Sequence, residues 1–97
     1  MTSKQRAYLI SLAMKITPIH QIGKSGITDE FAASVRESLE ARELIKISVL
    51  QNCMDDIHAL AEEIAERSNA QVVQVIGRKI VLYKQAKPEK RKIELPK

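Results

Sequence analysis

Aromatic side chains are nearly missing from this chain: Tyr8, Phe31 and Tyr83 are the only three in 97 residues. That scarcity disfavours a module that reads unstacked bases on a sheet of aromatics, as an RRM does. Cysteine occurs once, at Cys53, which excludes an internal disulfide and fits a reducing cytosol. No apolar run approaches the ~20 residues of a membrane span, and no N-terminal apolar segment suggests a secretory signal. A cytoplasmic protein without membrane contact is therefore expected. With 97 residues the chain makes one small domain with a limited core.

Catalytic constellations are missing too. His20 and His58 are solitary, with no recognisable general-base partner. Asp55 and Asp56 beside His58 read as helix caps, and a Cys53-x4-His58 pair lacks the further ligands of a zinc site. No enzyme, no metal and no cofactor is expected.

Acidic residues are unevenly spread along the chain. Residues 1–28 hold Lys4, Arg6, Lys15 and Lys24 but no Asp or Glu. Residues 84–97 hold Lys84, Lys87, Lys90, Arg91, Lys92 and Lys97 against Glu89 and Glu94, whereas residues 29–83 hold six basic and ten acidic side chains. Charge is thus segregated within a net +4, which implies a basic and an acidic face. A basic face with a basic tail points first to nucleic acid or another anionic surface.

Thr2 with Gln5 three residues later forms a capping box, predicting a helix through about Ile16 with Leu9, Leu12, Ala13 and Ile16 inward. Thr17-Pro18 stops it. Ile19 to Ile22 is a short strand, and Thr28 caps a second helix with Phe31, Val35 and Leu39 on its core stripe. Leu44 to Leu50 alternates as a strand with one covered and one largely wet face. Asp55 or Asp56 starts a third helix, with Ile57, Leu60, Ala61 and Ile64 inward and Asp55, Glu62 and Glu66 aligned outside. Asn69 closes it, since Asn tolerates the left-handed conformation. Gln71 to Ile76 and Lys79 to Tyr83 form a hairpin whose Gly77-Arg78 connection suits a type II′ turn. Beyond Lys84 the chain is polar, basic and proline-containing, so residues 85–97 are expected to be a mobile tail on a 1–84 domain. The order α-β-α-β-α-β-β predicts a two-layer α/β domain with a mixed four-stranded sheet.

One stretch combines several of these features: Ile19-His20-Gln21-Ile22-Gly23-Lys24-Ser25-Gly26-Ile27-Thr28-Asp29. A strand runs into a four-residue loop that opens on a helix start. Glycines at both ends of the loop permit positive φ and close backbone approach, and Lys24 with the loop amides suits a phosphate. Asp29 and Glu30 in the first helical turn compete with an incoming anion, so a phosphate site must rely on the loop N–H groups and Lys24 more than on the helix dipole. The Gly-Lys-Ser triplet is not a P-loop, because Pro18 stands where the Walker pattern needs its first glycine.

Four segments in register carry a family likeness: Lys4-Gln5-Arg6-Ala7-Tyr8-Leu9, Gln21 to Thr28, Glu43-Leu44-Ile45-Lys46-Ile47, and Ile76-Gly77-Arg78 with Val81-Leu82-Tyr83. Over about residues 2–84 the chain resembles bacterial YhbY-type proteins, stand-alone CRM (chloroplast RNA splicing and ribosome maturation) domains. The resemblance implies a fold related to the C-terminal domain of translation initiation factor three. It also implies RNA binding and association with precursors of the large ribosomal subunit. The family's GxxG loop, likened to that of KH domains, falls on Gly23, Lys24, Ser25 and Gly26. One departure is Asn69, where the family would have a glycine.

The basic, acid-free stretch and the resemblance agree on an RNA-binding face. Lys24 and the loop are its centre, with Lys4, Arg6, Lys15, Lys46, Arg78 and Lys79 as flanking contacts. Without a stacking platform, recognition is expected to favour backbone and shape over base identity. The protein is expected to act as a monomer on ribosomal RNA. The alternative is a protein-interaction module docking on a ribosomal or assembly protein through its acidic third helix.

Overall fold

The computed structural model describes residues 1–96. The first helix, α1 (Ser3–Ala13), opens on the capping box: Thr2 Oγ1 accepts from Gln5 N at 3.1 Å and Gln5 Oε1 accepts from Thr2 N at 3.0 Å. It ends three residues before Ile16, because its last turn tightens into i→i+3 bonds, Lys15 N to Leu12 O and Ile16 N to Ala13 O. The other elements are β1 (His20–Ile22), α2 (Asp29–Arg42), β2 (Leu44–Val49), α3 (Ile57–Ser68), β3 (Gln71–Ile76) and β4 (Lys79–Tyr83). A short 3₁₀ turn over Pro88–Lys90 follows.

Thr28 caps α2 by accepting from Phe31 N, and Asp56, not Asp55, caps α3 by accepting from Ala59 N at 3.0 Å. Asn69 takes φ 55° at the C-terminal cap of α3, so it holds the conformation a glycine would. In the β3–β4 hairpin Gly77 has φ 56° while Arg78 stays at negative φ, as a type II′ turn requires.

The sheet order is β1-β2-β4-β3. β1 is parallel to β2, with Ile22 opposite Val49, and β4 runs antiparallel to both β2 and β3. Ile22, Ile45, Ile47, Val49, Ile80 and Leu82 project from one sheet face onto α2 and α3. The other face, through Leu44, Val73, Val81 and Tyr83, packs on Leu9 and Ala13 of α1. The sheet therefore lies between helices on both sides, one layer more than the two predicted. The outward face of β2 is correspondingly drier than alternation alone suggested, since Leu44 is buried and Lys46 and Ser48 are half-buried.

The segment after β4 lies against the domain. Ile93 and Leu95 pack on the α1-side core. The Glu43 carboxylate accepts from the backbone N–H groups of Ala86, Lys92 and Ile93, and Gln5 Nε2 donates to Pro96 O at 3.1 Å. Tail residues thus supply apolar surface and main-chain donors that a reading of their charge and proline content does not reveal; Lys97 lies outside the described residues.

His20, within β1, places Nε2 2.8 Å from Ser38 Oγ and meets Phe31 edge-on, the ring centroids 5.7 Å apart. Burial lowers its pKa. The folded protein thus resists a proton that the unfolded chain takes up near pH 6.5. Stability is expected to be full above that pH and to fall as the pH drops below it. Melting curves between pH 8 and about 5 should show less of this fall in His20→Gln.

Candidate nucleic-acid interface

The 23–26 loop starts where β1 ends. Ile22 O accepts from Leu50 N at 2.8 Å, and Gly26 N donates to Gly23 O at 3.0 Å, closing a tight turn. Lys24 and Ser25 form its exposed tip. Only Gly26 has positive φ, at 69°; Gly23 does not, although the sequence allows it at both. A Cβ at Gly23 would meet Leu50 Cδ1 at an ordinary 3.6 Å, so the backbone does not demand glycine there. At Gly26 it does. Thr28 follows as the N-cap, so the turn stands directly before the 14-residue α2.

The acids near the loop are unequal. Arg67 of α3 pairs with Asp29 and also donates to Ile27 O at 3.1 Å, holding the chain between turn and helix. Asp29 is thereby partly neutralised, which eases the competition with an anion that its position in the first turn implies. Asp55 works the other way: its Oδ2 lies 3.6 Å from where a Cβ on Gly26 would sit. The sequence shows only the i,i+4 pairing of Arg67 with Glu63; its contacts at the loop lie 38 and 40 residues away.

Two of the predicted flanking cations are engaged in the fold. Arg6 Nη1 donates to Val72 O at 2.9 Å and also to Val73 O, where the β3–β4 register shifts. Arg78 donates through Nε to Val49 O at 2.9 Å and through Nη2 to Leu50 O and Cys53 O, pinning the loop after β2. A guanidinium bound to three carbonyls is a positioning group. Arg78→Ala is expected to lower stability by about 1–3 kcal/mol, because the carbonyls lose a charged donor. Thermal melting checks this, and an unchanged melting temperature would return Arg78 to the free surface cations.

Lys4 is exposed on α1, and Lys79 is exposed at the start of β4 beside Ser48 and Ile76. Lys15 and Lys46 are brought together in one hollow at the other end of β1 from the loop. Ile19 N donates to Lys46 O at 3.0 Å, which fixes that end of the strand on β2. Arg42, at the end of α2, and Lys92 join the same hollow. Sequence reasoning missed both, because only the tertiary fold brings them to Lys15. The three aromatics form no common surface: Tyr83 is buried, Phe31 is half-buried beside His20, and Tyr8 is exposed on α1.

Among the described residues no cluster of His, Cys, Asp or Glu could hold a metal, and no helix is long and apolar enough to cross a membrane.

The comparisons with known proteins agree with this architecture. The chain is 51% identical over 96 residues to "Probable RNA-binding protein YqeI" of Bacillus subtilis, covering 99% of both chains. It is 31% identical over 97 residues to an "RNA-binding protein" of Haemophilus influenzae, covering 100% of this chain and 96% of that one. The fold matches the solution structure of the hypothetical protein SAV1595 from Staphylococcus aureus with a TM-score of 0.82, 49% identity and 99% coverage of each chain. These relatives are named for binding RNA and not for an enzymatic activity. A family model described as CRS1 / YhbY (CRM) domain matches residues 1–84, and the chain belongs to that family.

Proposed function

We propose that the protein binds RNA through the 23–26 loop and the basic surface beside it. Its ligand is ribosomal RNA of large-subunit precursors, and it acts as a cytoplasmic monomer in ribosome assembly, without a cofactor. The observation that carries this reading is the loop. An exposed Lys24-Ser25 tip on a closed turn, immediately before a capped helix, suits a backbone phosphate. The names of the relatives support RNA as the partner class.

Binding is expected to weaken with salt. If ~3–6 phosphates are neutralised, the log–log slope of affinity against salt is roughly −2 to −5. A slope near zero would contradict the electrostatic account. Crosslinking in cells, with sequencing of the bound RNA, tests the ribosomal assignment: enrichment of large-subunit precursor sequence supports it, and enrichment of unrelated transcripts removes it. Docking through the acidic outer face of α3 remains the competing reading, although Glu63 on that helix already pairs with Arg67.

A further inference from the structure

The hollow at the far end of β1 has a volume of about 420 Å³ and carries Lys15, Arg42, Lys46 and Lys92. Its floor is aliphatic, built largely from Leu12, Ile16, Ile19 and Ile93. No acidic residue lines it. Lys92 Nζ donates to Ala41 O at 3.0 Å. Among the described residues Lys15, Arg42 and Lys46 donate no side-chain hydrogen bond and enter no ion pair, the two ion pairs both belonging to Arg67. Four like charges around one apolar surface repel each other, and an anionic ligand relieves that repulsion.

We infer that this hollow receives one unpaired nucleotide of the bound RNA, its base on the aliphatic floor and its flanking phosphates on the cations. This rests on the RNA-binding reading above. A bare phosphate would use the cations and leave the floor wet, whereas a base has an apolar face to cover it. Thr17, also in the lining, offers a hydroxyl to a base edge. An acidic amphipathic peptide presents similar chemistry, but position favours RNA. The loop and the hollow are separated by the length of β1, about 10 Å, which about three nucleotides at ~3.4 Å each can span. One RNA strand can therefore engage both, and an unpaired base supplies what a uniform duplex lacks.

The test uses the full chain with a fully paired RNA hairpin and the same hairpin carrying one bulged adenosine. The bulged hairpin is expected to bind about five- to tenfold tighter. Ile19 is 40% exposed, so Ile19→Ser leaves the fold intact. It is expected to erase the preference without changing affinity for the paired hairpin. Arg42→Gln is expected to weaken both and to reduce the salt slope by about one. Backbone-amide NMR shifts that differ between the two complexes are expected to fall within residues 12–19, 41–46 and 92–93.

Equal affinity for the two hairpins, or a preference that survives Ile19→Ser, overturns the inference and leaves RNA binding standing. Failure of both hairpins to bind at low salt overturns RNA binding as well. If a helical Leu/Glu peptide shifts the amides of the hollow while RNA does not, the hollow is a protein-docking groove and the inference fails.

Discussion

Replacing Lys24 and Ser25 together with aspartate is expected to reduce RNA affinity by about 100-fold or more, with the fold unchanged. The substitution removes one cation and places two carboxylates where the phosphate would sit. Coulomb interactions of unit charges at ~4 Å are worth about 1 kcal/mol in water and about 4 near a protein surface, so two repulsions suffice for that loss. Asp55 and Glu30 sharpen the effect because both already stand near the turn. Lys24→Ala, by contrast, removes one cation and is expected to cost tenfold or less. Both side chains are exposed, so stability is expected to change within about ±0.5 kcal/mol. RNA affinity and melting temperature measured on the same double variant decide the matter. Unchanged affinity with an intact fold would take the loop out of the interface and put the acidic face of α3 first.

Glu43→Ala is expected to destabilise the protein more than any change in the loop. Glu43 is 1% exposed, and it adopts φ 66° where α2 turns into β2. Its own N–H donates to Leu39 O at 2.8 Å, its carbonyl accepts from Lys84 N at 2.8 Å, and its carboxylate gathers Ala86, Lys92 and Ile93. Backbone donors can compensate a buried carboxylate, but removing it leaves them unpaired. A loss of about 3–5 kcal/mol follows, on the order of 15 °C or more in melting temperature for a domain of this size. Deleting residues 85–97 is expected to act in the same direction, because it strips the same donors and uncovers the α1-side core. A Glu43→Ala protein that melts within a few degrees of the parent would show that the C-terminal segment contributes little to the fold.

Local signals in the sequence read well. Thr2 with Gln5, Thr28, Asn69 and Gly77 each solve a backbone problem within four residues, so their partners are visible in the chain itself. Alternation from Leu44 and the four-residue spacing of Val35 and Leu39 located the larger core for the same reason. Positive charges read poorly. Arg6, Arg67 and Arg78 look like free cations in sequence, yet they bind carbonyls 29 to 67 residues away: Val73, Ile27 and Val49 for the three in turn. Glu43 is the hardest position, since a charged residue in the left-handed region and fully buried contradicts composition and backbone preference together. Only the donors of a distant segment make it acceptable there.

The strand order carries a consequence for how the molecule is made. β4 sits between β2 and β3, yet it is synthesised after both. While the chain emerges N-terminus first, β1 and β2 can pair but present an open hydrogen-bonding edge, and β3 has no neighbour at all. The five residues Lys79–Tyr83 close both gaps at once when they arrive. Sheet assembly is therefore a late, nearly all-or-none event, and until then the strand Leu44–Val49 keeps the backbone groups on its β4 side unpaired on a half-built sheet.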